Sequence, residues 1–279
     1  MTTENAVAKK TPETIGELLE QKKPELIALL PTHVPVERFI KSAILAVNRN
    51  PDLKKCSLTS VFTAIVNAAE LGLDFTPAKR HAFMVPFRNG KTGTYEAQFM
   101  PGYGGLIHLA VQSGTVKRME ARIVFENDTF RVEYGTNPHI EHIPVLDGDP
   151  GKIKGAYAVA WFGDGTTQFE FIPKAGLDKI RNSSKAKDSP AYTQWLDEMS
   201  RKAPIKRLSK YIPSSPDDRL LRAIEQDNQV TGIVETEITS STNRTADLAN
   251  LISIEEAEFT ETKPNGNAFQ EELLAESQK

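Results

Sequence analysis

QFMPGYGGLIHLAVQSG, residues 98–114, carries a strand into a helix through a glycine-rich turn. Met100, Pro101 and Gly102 end an alternating run, and Gly104 and Gly105 give the backbone freedom in a tight strand-to-helix turn. Leu106, Leu109 and Ala110 then recur at helical spacing, and Gly114 stands where a C-terminal cap belongs. Tyr103 sits at the mouth of the turn. A helix starting there leaves several N–H groups unpaired, which suits an anion such as a phosphate. Basic residues lie on both sides: Lys79, Arg80, Arg88 and Lys91 before it, Lys117, Arg118 and Arg122 after it. On these residues alone a purely structural turn, with Tyr103 as packing, fits equally well, because glycine turns are common and most bind nothing.

Outward from the turn, the pattern gives an α+β chain. Residues 81–87 and 94–100 alternate about Asn89-Gly90-Lys91-Thr92-Gly93, a hairpin with turn chemistry at its tip. Gly90-Lys91-Thr92 is not a nucleotide loop: Val85 stands where the first glycine must be and no helix follows, which excludes ATP hydrolysis. After the central helix, residues 117–125, 129–134, 139–144, 153–162 and 166–172 read as strands. Hairpin, helix and successive strands predict an antiparallel β-meander sheet packed with helices, not alternating βαβ units. Before the turn, residues 13–30 read as one or two helices interrupted by Pro24. Residues 35–50 and 57–71 read as amphipathic helices. These helical segments carry no chemistry and are candidates for contact between protomers.

Net charge is −3 over 279 residues, which at first argues against a nucleic-acid binder. Its distribution reverses that. Residues 231–279 hold ten acidic and three basic side chains, a net of −7, which leaves +4 on residues 1–230. Residues 174–222 hold twelve basic and six acidic side chains. A basic body with an acidic tail suits a phosphate-binding protein, although a solvated charged surface has the same composition. The division expected is a disordered N-terminus over 1–12, a core over 13–230 and a flexible acidic tail over 231–279. Phe269, Leu273 and Leu274 sit among glutamates near the end, as in a short partner-binding helix or a frayed acidic tail. Cys56 is the one cysteine, so no intramolecular disulfide forms, as suits a reducing cytoplasm. No signal-peptide pattern or membrane-length apolar run is read.

Within the basic segment, Lys174, Lys179, Arg181, Lys185 and Lys187 are expected in a loop ordered by a polyanion. Tyr192, Trp195, Leu196 and Met199 then mark an apolar helical stripe, followed by Arg201, Lys202, Lys206, Arg207 and Lys210. Lys206 and Lys210 are four apart and repel unless an anion lies nearby. Alternatively this is an ordinary solvated helix face. No catalytic constellation assembles. His139 and His142 point to opposite faces of a strand, and Cys56 is remote in sequence, so no metal site is expected. No nucleophile elbow is present. His81 is a candidate DNA contact and His108 a locally satisfied helix residue.

QxxxxGYxGLxxLAxxSG resembles the signature of the RecT-type phage single-strand annealing recombinases. LGLDFTPAKRHAFMVPF (residues 71–87) resembles the segment leading into that family's first core strands. MSRKAPIKRLSKYIP (residues 199–213) resembles its basic helix. Together these span roughly residues 57–228, and three ordered motifs are far more specific than one glycine loop. The chain departs from the family pattern at Gly104 and Gln112, where basic residues are usual, and at Pro204, where Thr or Val is usual; the last suggests a kink or helix restart.

The resemblance implies an ATP-independent DNA-binding and strand-annealing protein, non-enzymatic and without cofactor or metal. It implies helical or ring oligomers, a bacterial host cytoplasm, and as partners a 5′–3′ exonuclease and the host single-strand binding protein. It would hold a strand in a groove lined by Lys79, Arg80, Arg88, Lys91, Lys117, Arg118, Arg122, Arg201, Lys202, Lys206, Arg207 and Lys210. Tyr103 would pack on backbone or base, and Gln98 would donate to a phosphate or brace the turn. A metal-dependent nuclease using the same basic groove is the competing expectation from a different class.

Overall fold

A computed structural model of the chain describes residues 13–88, 90, 93–213 and 218–232. Lys91, the N-terminal stretch expected to be disordered and the acidic tail lie outside the described residues.

Four helices open the fold. α1 (Ile15–Gln21) starts where the Glu17 N–H donates to Thr14 Oγ1 at 3.2 Å. α2 (Lys23–Leu29) takes Pro24 in its first turn, where the missing N–H has no partner to lose. So Pro24 starts a second helix here. α3 (Val36–Arg49) and α4 (Leu58–Leu71) follow, α4 capped by Ser57 and closed by Gly72 at φ 70°. Phe39, Ile65, Leu19 and Leu26 are fully buried where these helices meet, in the same apolar cluster as Leu106 of the central turn.

The central stretch folds as read. β1 (Ala82–Arg88) and β2 (Tyr95–Pro101) pair antiparallel from Ala82–Pro101 to Arg88–Tyr95. α5 (Tyr103–Gln112) follows at once. β3 (Val116–Phe125), β4 (Thr129–Glu133), β5 (His139–Ile143), β6 (Ile153–Phe162) and β7 (Thr167–Pro173) complete the strands, all paired antiparallel. The α+β class and the antiparallel pairing are as expected from sequence. The strands divide into three ladders: β1-β2, β3-β6-β7 and β4-β5.

β4 and β5 leave the three-stranded sheet because they pack over one of its faces. The Phe130 ring lies 4.8 Å from Phe171 and 5.8 Å from Tyr157, and Tyr134 lies 5.3 Å from Phe169. Asp128 fastens the base of that hairpin. Its carboxylate accepts from the Phe125 N–H at 2.7 Å and the Val145 N–H at 2.9 Å, and meets His142 Nε2 at 3.0 Å. The sheet's other face turns Met119, Ala158 and Ala160 into the main core with α5 and with α8 (Leu196–Leu208).

Two local expectations are corrected. Residues 174–183 form a helix, α6 (Lys174–Ser183), not a polyanion-ordered loop; Leu177 is buried against Ala156 and Ile172, so the segment has a core face of its own. Pro204 does not restart a helix, since α8 runs through it. α7 (Pro190–Thr193) and α9 (Arg219–Thr231) complete the helices described.

α8 and α9 are joined by a buried ionic cluster. Lys202 and Lys206 from α8 both reach Asp227 of α9; Lys206 Nζ lies 2.8 Å from Asp227 Oδ2 and 2.5 Å from Asn228 Oδ1. Lys202, Lys206 and Asp227 are 3%, 7% and 1% exposed. Burial alone would raise the pKa of Asp227, but the two ammonium groups hold it below the usual carboxylate range. Removing one partner from a buried pair leaves uncompensated charge. Asp227→Ala is expected to destabilise the protein by about 3–5 kcal/mol in denaturant unfolding; a loss under about 1 kcal/mol would mean that the lysines reach water in solution.

Candidate nucleic-acid interface

The glycines of the central turn serve a close approach, not an unusual backbone angle. None of Gly102, Gly104 and Gly105 has a positive φ. A Cβ on Gly102 would sit 2.1 Å from the Arg80 carbonyl oxygen, on Gly104 2.6 Å from that of Lys79, and on Gly105 2.2 Å from that of His81. The first turn of α5 therefore lies directly on the backbone of residues 79–81, a contact any side chain would break. At Gly104, too, a side chain has no room. Gln112, the second departure, reaches back from the end of α5 to His33, with Nε2 to Nε2 at 3.0 Å.

Arg80 is held against this turn in the left-handed region, φ 53°, the one non-glycine residue so placed among the described residues. Its guanidinium donates to Tyr103 Oη at 3.0 Å and meets Glu198 Oε1 at 3.0 Å. Arg201, one turn along α8, reaches the same carboxylate oxygen at 3.5 Å. Both guanidinium carbons lie 5.9 Å from the centre of the Tyr103 ring. Three sequence-selected residues from three separate segments thus converge, with Glu198 as their common acceptor.

Arg80, Tyr103 and Glu198 line a cleft of about 720 Å³ between β1, the start of α5 and the start of α8. Phe83, 41% exposed, and Trp195, 60% exposed, line it. Sequence reading missed both. Trp195 had been expected on a buried stripe continuous with Tyr192 and Met199. The break between α7 and α8 places it instead at the N-cap of α8. Asp197 and Glu198, acidic residues in a first turn, were the available signal of a helix start there.

The remaining candidates separate into groups. Arg118, Arg122 and Lys117 are exposed on β3. The register sets Arg118 beside Trp161, and its guanidinium stacks 4.7 Å from the indole centre. Glu120 bridges Arg118 and Arg122, the latter at 3.3 Å. Arg207 pairs with Glu170 of β7 at 3.2 Å. Lys79 pairs with Asp74, whose carboxyl is held low: burial opposes ionisation, but Lys79 and the bonds to Thr76 outweigh it. Arg88 is exposed at the end of β1, and Lys210 is exposed in the turn after α8.

Lys202, Lys206 and Gln98 stand apart from the exposed cations. Lys206 is buried, and Lys202, although it belongs to the cleft's lining, is 3% exposed; both ammonium groups are turned to Asp227, the nearby anion that the lysines require. Gln98 faces a separate recess of about 220 Å³ with Asn67 and Gln226, not the cleft.

His81 does not project toward the cleft's cations. Its ring stacks on His108 with centres 4.5 Å apart. Burial, then the neighbouring His108, lowers the His81 pKa from 6.5 to about 4. His142 lies between Asp128 and Tyr157, Nδ1 3.3 Å from the phenol oxygen, so it belongs to the hairpin's fastening.

The comparisons agree with the motifs. The RecT family model matches residues 37–243. Protein RecT of Escherichia coli (strain K12) is 37% identical over 210 residues, covering 74% of this chain and 77% of the relative.

The histidine pair yields a signed pH dependence. A histidine whose folded pKa lies below its unfolded value adds stability above about 6.5 and loses it as pH falls toward about 4. The melting temperature should therefore fall more steeply across that window for wild type than for His81→Phe, which keeps an aromatic ring and cannot charge. Parallel curves would contradict the buried, neutral assignment.

Proposed function

The chain belongs to the RecT family, and from that premise we propose that it anneals complementary DNA strands without ATP, as an oligomer, through the surface bordered by Arg80, Tyr103 and Arg201. Family membership makes it a DNA-recombination and strand-annealing protein. The proposal adds how this chain does it and with which residues.

The observation that carries it is the convergence of Arg80, Tyr103 and Arg201 beside an exposed cleft. Two guanidinium groups offer forked donors for phosphate oxygens. The phenol between them holds their geometry. Sequence is matched by base pairing, so the protein needs only to hold backbone and leave the base edges available. Arg118, Arg122 and Lys117 on β3 extend the phosphate-binding surface, with Arg88, Lys79, Arg207 and Lys210 as outlying cations. Lys202 and Lys206 act indirectly, by fixing α8. The protein has no catalytic role in this reading. A 5′–3′ exonuclease to make the strands, the host single-strand binding protein and the bacterial cytoplasm belong to the same proposal.

Annealing of two complementary labelled oligonucleotides, without nucleotide and over a salt series, tests it. Each phosphate contact on a single strand contributes a log–log slope of about −0.7, so Arg80→Gln/Arg201→Gln should make the slope shallower by about 1.4. Labelled strands should stay full length in magnesium. Absence of acceleration at low salt, or shortening of the strands, rejects the proposal.

A further inference from the structure

The cleft beside Arg80 holds chemistry that phosphate binding does not use. Phe83 of β1 and Trp195 at the start of α8 expose aromatic surface into it, and Met100 adds a thioether to its wall. Phe83 lies against the turn because Gly102 has no side chain: a Cβ there would stand 2.8 Å from the ring edge as well as on the Arg80 carbonyl. The motif glycine and the exposed ring are thus one arrangement. Glu198 also lines the cleft. Its Oε1 takes both arginines, while its Oε2 is buried with no hydrogen-bond partner. Arg49 and Arg80 are the exposed cations of the lining.

Aromatic walls select a flat π-system. Flanking arginines select a ligand attached to phosphates. An apolar side chain from a second copy would leave the arginines unmatched. We propose that this cleft is a nucleobase site: it takes a base of the bound single strand, stacked on Trp195 and Phe83, while the neighbouring phosphates lie on Arg49 and Arg80. The volume of about 720 Å³ is within the usual range for small-ligand sites and admits a base with its sugar. The site rests on the single-strand reading above and deepens it. The strand is gripped by its bases as well as its charge, without sequence preference, since every base has a π-face.

The test uses the full chain with Trp161→Phe, which leaves Trp195 as the remaining tryptophan of the two. Its emission is followed while adding oligothymidylate or an abasic oligomer of equal length and charge. The expected result is quenching by oligothymidylate and none by the abasic strand. Trp195→Ala in the otherwise native chain should weaken oligothymidylate binding about tenfold, with Trp195→Phe retaining most of it. The abasic strand should bind both alike. Equal binding of the two strands, with Trp195 emission unmoved, overturns the base site and leaves strand binding standing. Binding of neither strand at low salt overturns strand binding itself, and the base site with it. Trp195 emission that changes with protein concentration alone, and not with DNA, assigns the cleft to a second copy and overturns the proposal.

Discussion

The carbonyl oxygens of Arg80 and His81 stand where Cβ atoms of residues 102 and 105 would be. This backbone-on-backbone contact sets where everything else at the site can be. It presses the start of α5 onto the segment before β1. It brings Tyr103 within reach of Arg80, and it gives Phe83 a flat surface to lie on. Backbone atoms, unlike side-chain tips, cannot rotate away, so glycine is required by distance. Arg80 adopts a left-handed angle as the segment turns there.

The second constraint comes from the far side of α8. Asp227 holds Lys202 and Lys206 inside the protein, and they lie on the same helix as Glu198 and Arg201. Replacing such a cluster by well-packed apolar residues is often neutral for stability, so its value need not be energetic. What it does here is fix α8 against α9, and with α8 the carboxylate that organises both arginines. Positive charge in this chain therefore takes two forms: buried lysines fix α8, and Arg80 is exposed in the lining of the cleft.

Much of the fold was legible because its signals are local. Ser57 and Gly72 mark the ends of α4, and alternation marks β1, β2, β6 and β7 to within a residue or so. Pairing was less legible. That β3 lies beside β6, with β4 and β5 laid across the sheet, depends on Phe130 meeting Tyr157 and Phe171, contacts that no short window contains. Arg80, Tyr103 and Arg201, selected from separate motifs, lie together in the structure. The burial of Lys202 and Lys206 was not legible because their partner Asp227 lies 25 and 21 residues away, beyond any helix-face argument. Trp195 was hidden by a stripe that reads as continuous although the helix breaks inside it. Glycine's role was inferred correctly in place but wrongly in cause, since sequence does not reveal which backbone passes close by.

The most direct measurement is photo-crosslinking of the full-length protein to a single strand carrying 5-iododeoxyuridine, with the adducts located by mass spectrometry. Crosslinks to Tyr103, Phe83 or Trp195 are the predicted result. Crosslinks confined to surfaces away from the cleft, with these three residues unmodified while the strand is bound, would contradict the account.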